Sequence, residues 1–512
     1  MLKIKTHWKK ILSILGIVFF VVATSFLMVS RIYWPNFHNS FGFDQSRDAG
    51  VIQDMRRGIL PSYGPSSSKG DFSLFPHFYY ILYVFGFWTT NPTNLVYFNA
   101  ISSIITFFLL FFLVWKICQE HKLRWLWSGA AVFIYSINMW FIREANMIWN
   151  PNSLPMFILI LILALDHIQT KFETKPKLDL LQGLKIAGVG FVSVIAMSLH
   201  SSALFMIPVW ILWWVFQIKN IKILPKLSIA LLLLLSGVVT NIPYFISEFQ
   251  NKWKNTIALL RFLKSSSDYL VDFSFWDKFW FKIHNFIFHW LDIWSMFYLP
   301  NVYGTLVILL GLVSFIGLWQ SAKQSNHIVK ISLALAIIYL LVCSNLTGIS
   351  PHHYKLVGVL LPLVGLINFL QNINFKHRPN FVLTALVLAI ICFGTWNNYI
   401  KTLAYSEQKF GQEGRTMNTQ DYQKIVQIAK DKDVKQICVN SFQDRFHFFG
   451  IQYFAKYEYR FTTKFNEECD QNLTPNKSIY YYDKGMGIRE KIVFLANQKL
   501  IFENEAVQVY EF

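Results

Sequence analysis

Apolar runs of about 17 to 22 residues recur along this chain, the first at 11–29 and the last near 380–397, and each is long enough to cross roughly 30 Å of hydrocarbon as a helix. Inside a bilayer the backbone finds no water, so only helices or closed barrels satisfy its N–H and C=O groups, and continuous runs of this length are helices. Composition agrees: 54% hydrophobic, 18% aromatic and only 15% charged residues lie outside the soluble range. The expected fold class is a polytopic α-helical membrane protein.

Charge then sets the topology. The net charge of +18 does not indicate a nucleic-acid partner, because many of the lysines and arginines fall in short clusters between apolar runs rather than on one basic face. Lys3, Lys5, Lys9 and Lys10 place the start of the first run in the cytoplasm. That run is long for a signal segment and lacks an A-x-A site, so it reads as an anchor. The stretch 76–88 is short and holds His77 with four tyrosines or tryptophans; it reads as a helix at the membrane interface. The remaining spans fall near 95–115, 125–142, 153–169, 183–200, 202–218, 227–246, 302–320, 330–347, 353–370 and 380–397, giving a bundle of about eleven transmembrane helices. This count sends Lys171, Lys175 and Lys177, then Lys219, Lys222 and Lys226, to the cytoplasmic side. It puts the first polar loop (30–94), Arg143 to Asn152, a long loop at 247–300 and the C-terminal region outside. The expected location is the plasma membrane, with the active face and C-terminus extracytoplasmic.

Beyond about residue 400 the chain turns polar, with a helical pattern at 420–431 and alternating runs at 435–440, 478–483, 491–495 and 506–511. Two domains are therefore expected: a membrane domain over 1–400 and a small extracytoplasmic α/β domain over 401–512. The latter carries no nucleophile elbow, phosphate loop or metal cluster. Cys118, Cys343 and Cys392 lie in or beside apolar segments and read as small buried hydrophobes. Cys438 and Cys469 fit either a disulfide or two thiols.

Chemistry is expected in the first polar loop. Asp44 and Asp48 are spaced i to i+4, so a helix entered at Asp44 puts both on one face with Arg47 alongside. An N-cap with a surface ion pair is one reading; a general base for an acceptor hydroxyl is the other. Farther on, Gly64 to Asp71 is turn-rich: Lys69 and exposed amides suit a phosphate and Asp71 a second acid, or the segment is an ordinary loop. Arg143 sits at the end of a span, just before the helix-breaking Asn150-Pro151; its side chain either snorkels or binds a lipid diphosphate or sugar. His200 ends one span, and His352, His353, Tyr354 and Lys355 begin another at the same level. Three histidines without local spacing make a poor metal site, whereas Lys355 suits an anionic headgroup.

Asp44-Gln45-Ser46-Arg47-Asp48-Ala49 after the first helix, Gly64-Pro65 leading to Pro76-His77-Phe78-Tyr79-Tyr80, Arg143 with Asn150-Pro151-Asn152, and His353-Tyr354 followed by Leu361-Pro362 together resemble the GT-C superfamily of polyprenyl-phosphate-sugar glycosyltransferases. Within it they are similar to the bacterial protein-mannosyltransferase-like and aminoarabinose-transferase-like members. Many relatives have Asp-Glu where this chain has Asp44-Gln45. The aminoarabinose branch carries an acid and a lysine before the proline-aromatic segment, where this chain has Ser73, Leu74 and Phe75; Asp71 and Lys69 are the nearest substitutes.

The resemblance implies inverting, single-displacement transfer of a sugar from a polyprenyl-phosphate donor to a protein, lipid or glycan hydroxyl. Asp44, Asp48 and Asp71 would form the catalytic set; Arg47, Lys69, Arg143, Asn150, His200, His353, Tyr354 and Lys355 would bind substrate and phosphate. No cofactor is required by this chemistry and a divalent metal is not expected. The alternatives are a flippase for a lipid-linked glycan, or a polymerase or ligase of lipid-linked sugars.

Overall fold

The computed structural model of the protein describes residues 2–33, 41–67, 71–118, 123–219, 221–265, 274–295, 311–317, 327–344, 363–370, 419–432, 436–440, 446–459, 462–465, 478–483, 499–503 and 507–511, with four isolated positions between 319 and 400. The membrane part begins with α1 (Leu2–Met28), which runs into a wide turn at Val29–Tyr33. Two short helices follow, α2 (Phe43–Arg56) and α3 (His77–Tyr83). The bundle continues with α4 (Thr93–Ile117), α5 (Arg124–Ile137), α6 (Met139–Ala145), α7 (Leu154–Thr174), α8 (Leu180–Leu199), α9 (Ser201–Gln217) and α10 (Ile223–Thr240). Next come α11 (Ile242–Gln250), α12 (Lys254–Ser265), α13 (Phe275–Ser295) and α14 (His327–Ser344).

Among the described residues five helices are long and apolar enough to cross a membrane: Lys10–Tyr33, Thr93–Ile117, Asn150–Thr174, Leu180–Leu199 and Ile223–Thr240. The stretch 125–142, expected as one straight span, is instead the pair α5 and α6, bent by 62°. The bend falls at Asn138, whose side chain accepts the Trp140 amide at 3.0 Å and so starts a second helix inside the first. The apolar helices at Ser201–Gln217 and His327–Val342 are shorter than the five. The stretch 247–300, expected as a loop, contains α12, α13 and the end of α11. The spans expected at 302–320, 353–370 and 380–397 lie largely outside the described residues.

Small residues let the helices cross closely, as in lipid, where no hydrophobic force drives one helix onto another. A Cβ on Gly16 of α1 would strike the Trp125 backbone of α5, and one on Gly129 would strike the Gly16 carbonyl. Gly190 of α8 likewise faces Ser236 and Leu233 of α10.

Polar contacts define two ends of the bundle. At one, Asn146 donates to the Ser30 carbonyl (3.0 Å), Asn99 to those of Met147 (2.6 Å) and Trp149 (3.0 Å), and Asn150 to that of Leu199. His77 meets the Thr240 carbonyl at the same end, 3.2 Å away. At the other, Lys116 pairs with Asp166 (2.6 Å) and His327 with Glu173 (2.9 Å). The candidate residues that are described therefore share the first end, and the lysine clusters share the second.

The C-terminal region forms α15 (Thr419–Asp431), β1 (Gln436–Asn440), α16 (Phe446–Phe454), β2 (Thr462–Phe465), β3 (Ser478–Asp483), β4 (Lys499–Glu503) and β5 (Val507–Glu511). Its sheet has the order β2-β1-β3-β5-β4, with β1 parallel to β2 and β3, and β5 antiparallel to β3 and β4. The strand expected at 491–495 lies outside the described residues, while β2 and β4 have no counterpart among the alternating runs. Cys438 is buried in β1; Cys469 is outside the described residues. This region packs on the first end of the bundle: Phe41 sits against Tyr422, Tyr453 and Phe454, with ring centroids 6.4, 5.3 and 5.8 Å away. Thr93 and Thr419 share a hydrogen bond of 2.8 Å.

Candidate active site

Helix α2 starts at Phe43 because Gly42 is extended and its N–H donates to Gln45 Oε1 at 3.0 Å. Gln45 closes the helix end, so Asp44 is not the cap that its position suggested. Asp44 stands one residue farther in, where a carboxylate faces the positive end of the helix dipole. The i to i+4 spacing does bring both acids to one side. Arg47 bridges them: Nη1 lies 2.7 Å from Asp44 Oδ1, while Nε and Nη2 each lie 2.8 Å from Asp48 Oδ1. Tyr79 of α3 donates its hydroxyl to the same Asp48 oxygen at 2.9 Å.

The two acids differ in exposure. The Asp44 side chain is 36% accessible and that of Asp48 is 0%. Asp48 Oδ2 is buried, with no hydrogen-bond partner among the described residues. Burial, with some help from Asp44, pushes the Asp48 carboxyl up to about 6 against the opposing pull of Arg47 and Tyr79. Burial works against the Arg47 charge, but Asp48, Tyr79 and Asp44 together hold it above the ordinary arginine value. The Tyr79 phenol is raised by its own burial and by Asp48. The result is a buried anion and a fixed cation behind one accessible carboxylate.

The rest of the first loop is clamped from the side. The segments at 64–67 and 72–74 pair antiparallel, with Gly64 N bonded to Leu74 O (2.8 Å) and Leu74 N to Pro65 O (3.0 Å). Gly64 is required there, since a Cβ would strike the Phe75 carbonyl. Asn255 donates to the Ser73 carbonyl at 3.0 Å and accepts from its N–H. Glu248, fully buried, accepts from Tyr63 OH (2.9 Å), Thr256 N (2.8 Å), Thr256 Oγ1 (2.6 Å) and Asn255 N (3.3 Å). Burial raises its carboxyl, but the donors from Thr256, Tyr63 and Asn255 outweigh that and leave it below the ordinary glutamate value.

The other expected residues are spread more widely. Asp71 is exposed, just before the second of these paired segments, and among the described residues no hydrogen bond or ion pair joins it to the Asp44 cluster. Arg143 is exposed at the end of α6, over the Trp140 ring at 5.9 Å. Asn150 is buried and ties the break before α7 to the last carbonyl of α8. His200 is buried as the cap of α9, its Nδ1 accepting the Ser202 amide at 3.1 Å. Both of these residues serve local structure. Lys69, His352, His353, Tyr354 and Lys355 lie outside the described residues. Among the described residues no three His, Cys, Asp or Glu side chains gather as metal ligands, and the cation between Asp44 and Asp48 is the Arg47 guanidinium.

Two participants were missed from the sequence. Tyr79 reads there as one more interfacial aromatic, because nothing local ties it to Asp48, 31 residues earlier. Glu248 falls in the stretch read as loop.

No protein-family model and no curated protein matches the chain. Solved structures do. The archaeal oligosaccharyltransferase AglB from Archaeoglobus fulgidus, in complex with an inhibitory peptide and a dolichol-phosphate, aligns with a TM-score of 0.52 at 12% identity over 86% of this chain. An Archaeoglobus fulgidus oligosaccharyltransferase tethered to an acceptor peptide aligns with a TM-score of 0.51 at 12% identity, over 91% of this chain and 69% of that one. The chain spans 63% of the length of AglB. The chain therefore shares its overall fold with these two oligosaccharyltransferase structures.

Proposed function

We propose that this protein is a membrane glycosyltransferase that moves a sugar from a lipid-phosphate carrier to an acceptor hydroxyl, at the face where α2 lies. The observation that carries the reading is the Asp44–Arg47–Asp48 cluster on the first polar helix after the first span, within a fold shared with an enzyme solved with dolichol-phosphate. In this reading Asp44, the accessible acid, takes the proton of the acceptor hydroxyl. The hydroxyl oxygen bonds to the anomeric carbon, the bond from that carbon to the phosphate oxygen breaks, and its electrons leave with the lipid phosphate. The configuration inverts. Asp48 is a positioning residue that fixes Arg47 and, through it, Asp44. Arg143 on its exposed helix end, with Lys69 and Lys355, receives the departing phosphate.

The finer assignment follows the sequence motif: a polyprenyl-phosphate sugar as donor, the protein-mannosyltransferase-like and aminoarabinose-transferase-like proteins as relatives, and an extracytoplasmic active face with the C-terminal domain beside it. The test is Asp44→Asn in a membrane transfer assay, paired with mass spectrometry of lipid-linked sugars and envelope glycans in a deletion strain. Loss of one sugar, restored by wild type and not by the variant, is the expected result. Normal turnover by the variant removes Asp44 from the mechanism, and an unchanged glycan accumulating on the inner leaflet makes the protein a flippase.

A further inference from the structure

At the lysine-bearing end of the bundle, a cavity of about 300 Å³ opens between α7 and α8. Leu161, Ala164, Ile168, Val189 and Val192 line its walls. Gly188 widens it, and a Cβ there would meet nothing within 4 Å, unlike Gly190 two residues on. Packing therefore gives no reason for a glycine at 188, and a glycine inside a helix costs about 1 kcal/mol relative to alanine. What the missing side chain supplies is a groove.

Polar groups stand at one place in this groove. Lys185 donates to His167 Nε2 at 3.1 Å, and both residues line the cavity. The acids nearby are already engaged: Asp166 by Lys116, Glu173 by His327, and Asp179 by the Gln182 amide that it caps. Lys171, Lys175, Lys177 and Lys185 form no ion pair among the described residues. An open apolar slot between two apolar helices, with cations at its polar end that form no ion pair among the described residues, suits an amphiphile with a negative head.

We propose that this groove binds one anionic phospholipid of the leaflet opposite the Asp44 cluster. Its acyl chain would lie over Gly188, and its phosphate would take the place of His167 as acceptor for Lys185. The site is separate from the proposed transfer chemistry and does not depend on it.

The test uses the full-length protein in a neutral detergent, titrated by native mass spectrometry with dioleoyl phosphatidylglycerol, dioleoyl phosphatidylcholine and glycerol phosphate. Wild type is expected to bind phosphatidylglycerol at least tenfold more tightly than phosphatidylcholine, and glycerol phosphate not measurably. Gly188→Leu, which puts a side chain where a Cβ meets nothing within 4 Å, and Lys185→Gln, which removes the cation, are each expected to weaken phosphatidylglycerol about tenfold. Unchanged thermal unfolding midpoints in detergent report that both variants fold. Equal binding of the two lipids, or undiminished affinity in both variants, overturns the proposal. Binding of glycerol phosphate as tight as that of the lipid also overturns it, because the groove then takes a free phosphate.

Discussion

Two buried carboxylates flank the first polar loop, and they are treated oppositely. Glu248 receives hydrogen bonds on both oxygens, from a tyrosine, a threonine hydroxyl and two backbone amides, and its carboxyl is held below the ordinary glutamate range. Asp48 has one oxygen crowded by Arg47 and Tyr79, the other bare, and its carboxyl is pushed up to about 6. A fully satisfied buried anion fixes a turn. One that is half satisfied, and next to an accessible acid, keeps a proton equilibrium near neutral pH, as functional sites do. The contrast sets Glu248 apart as a fixed anion and supports the chemical role proposed for the α2 cluster.

The turn beside Glu248 fits that assignment. Lys252 and Trp253 have φ of 56° and 59°, a left-handed backbone that costs these side chains about 1–2 kcal/mol each. Trp253 N donates to the Glu248 carbonyl at 2.7 Å, and the Glu248 side chain gathers the amides just beyond. The strain persists because the surrounding bonds determine the turn.

The comparison breaks most readily at Asp44. Asp44→Asn is expected to lower transfer by about 10²- to 10⁴-fold, the usual weight of a general base, with donor binding and unfolding temperature little changed. Arg47→Gln is next: it leaves Asp48 buried without its cation and is expected to cost about 3 kcal/mol of stability, read from chemical unfolding in detergent. Glu248→Gln should cost about 1–3 kcal/mol through lost acceptors, with transfer per folded molecule preserved. A large loss of turnover without loss of stability in that variant would erase the distinction between the two carboxylates.

Acid sharpens the same distinction. In wild type, transfer should fall as pH drops through about 6, where Asp48 takes a proton and no longer anchors Arg47 as an anion. Glu248 acts lower: its folded value is depressed, so its stabilising contribution is complete above the ordinary 4.5 and is lost as pH falls below that. The smallest expected effect is that of Tyr79→Phe, which removes a donor from Asp48 and moves the acidic limb of the rate profile slightly upward in pH. A limb that ignores this change would detach Asp48 from the profile.

Much of this was legible in the sequence wherever a periodicity carried it. The i to i+4 spacing of Asp44 and Asp48 put both acids and Arg47 on one side of a helix, and the lysine clusters identified one end of the bundle. Partners brought together by tertiary packing left no local trace. Asn138 is an ordinary polar residue in an apolar run until its side chain caps Trp140 and turns the span by 62°. Asp44 looked like a cap because aspartate is a favoured one, yet Gln45 reached Gly42 first. Strand β2, only four residues long, is too short for alternation to stand out.

The packing of Phe41 against Tyr453 and Phe454 has a consequence for biosynthesis. The hydrogen bond from Tyr453 to the Thr90 carbonyl joins positions 363 apart in the chain. While the ribosome is still making the later spans, the rings that cover Phe41 have yet to be synthesised. This end of the bundle thus acquires its final cover only when nearly the whole polypeptide has emerged, and a prematurely terminated product would leave Phe41 and the Thr90 carbonyl without these partners.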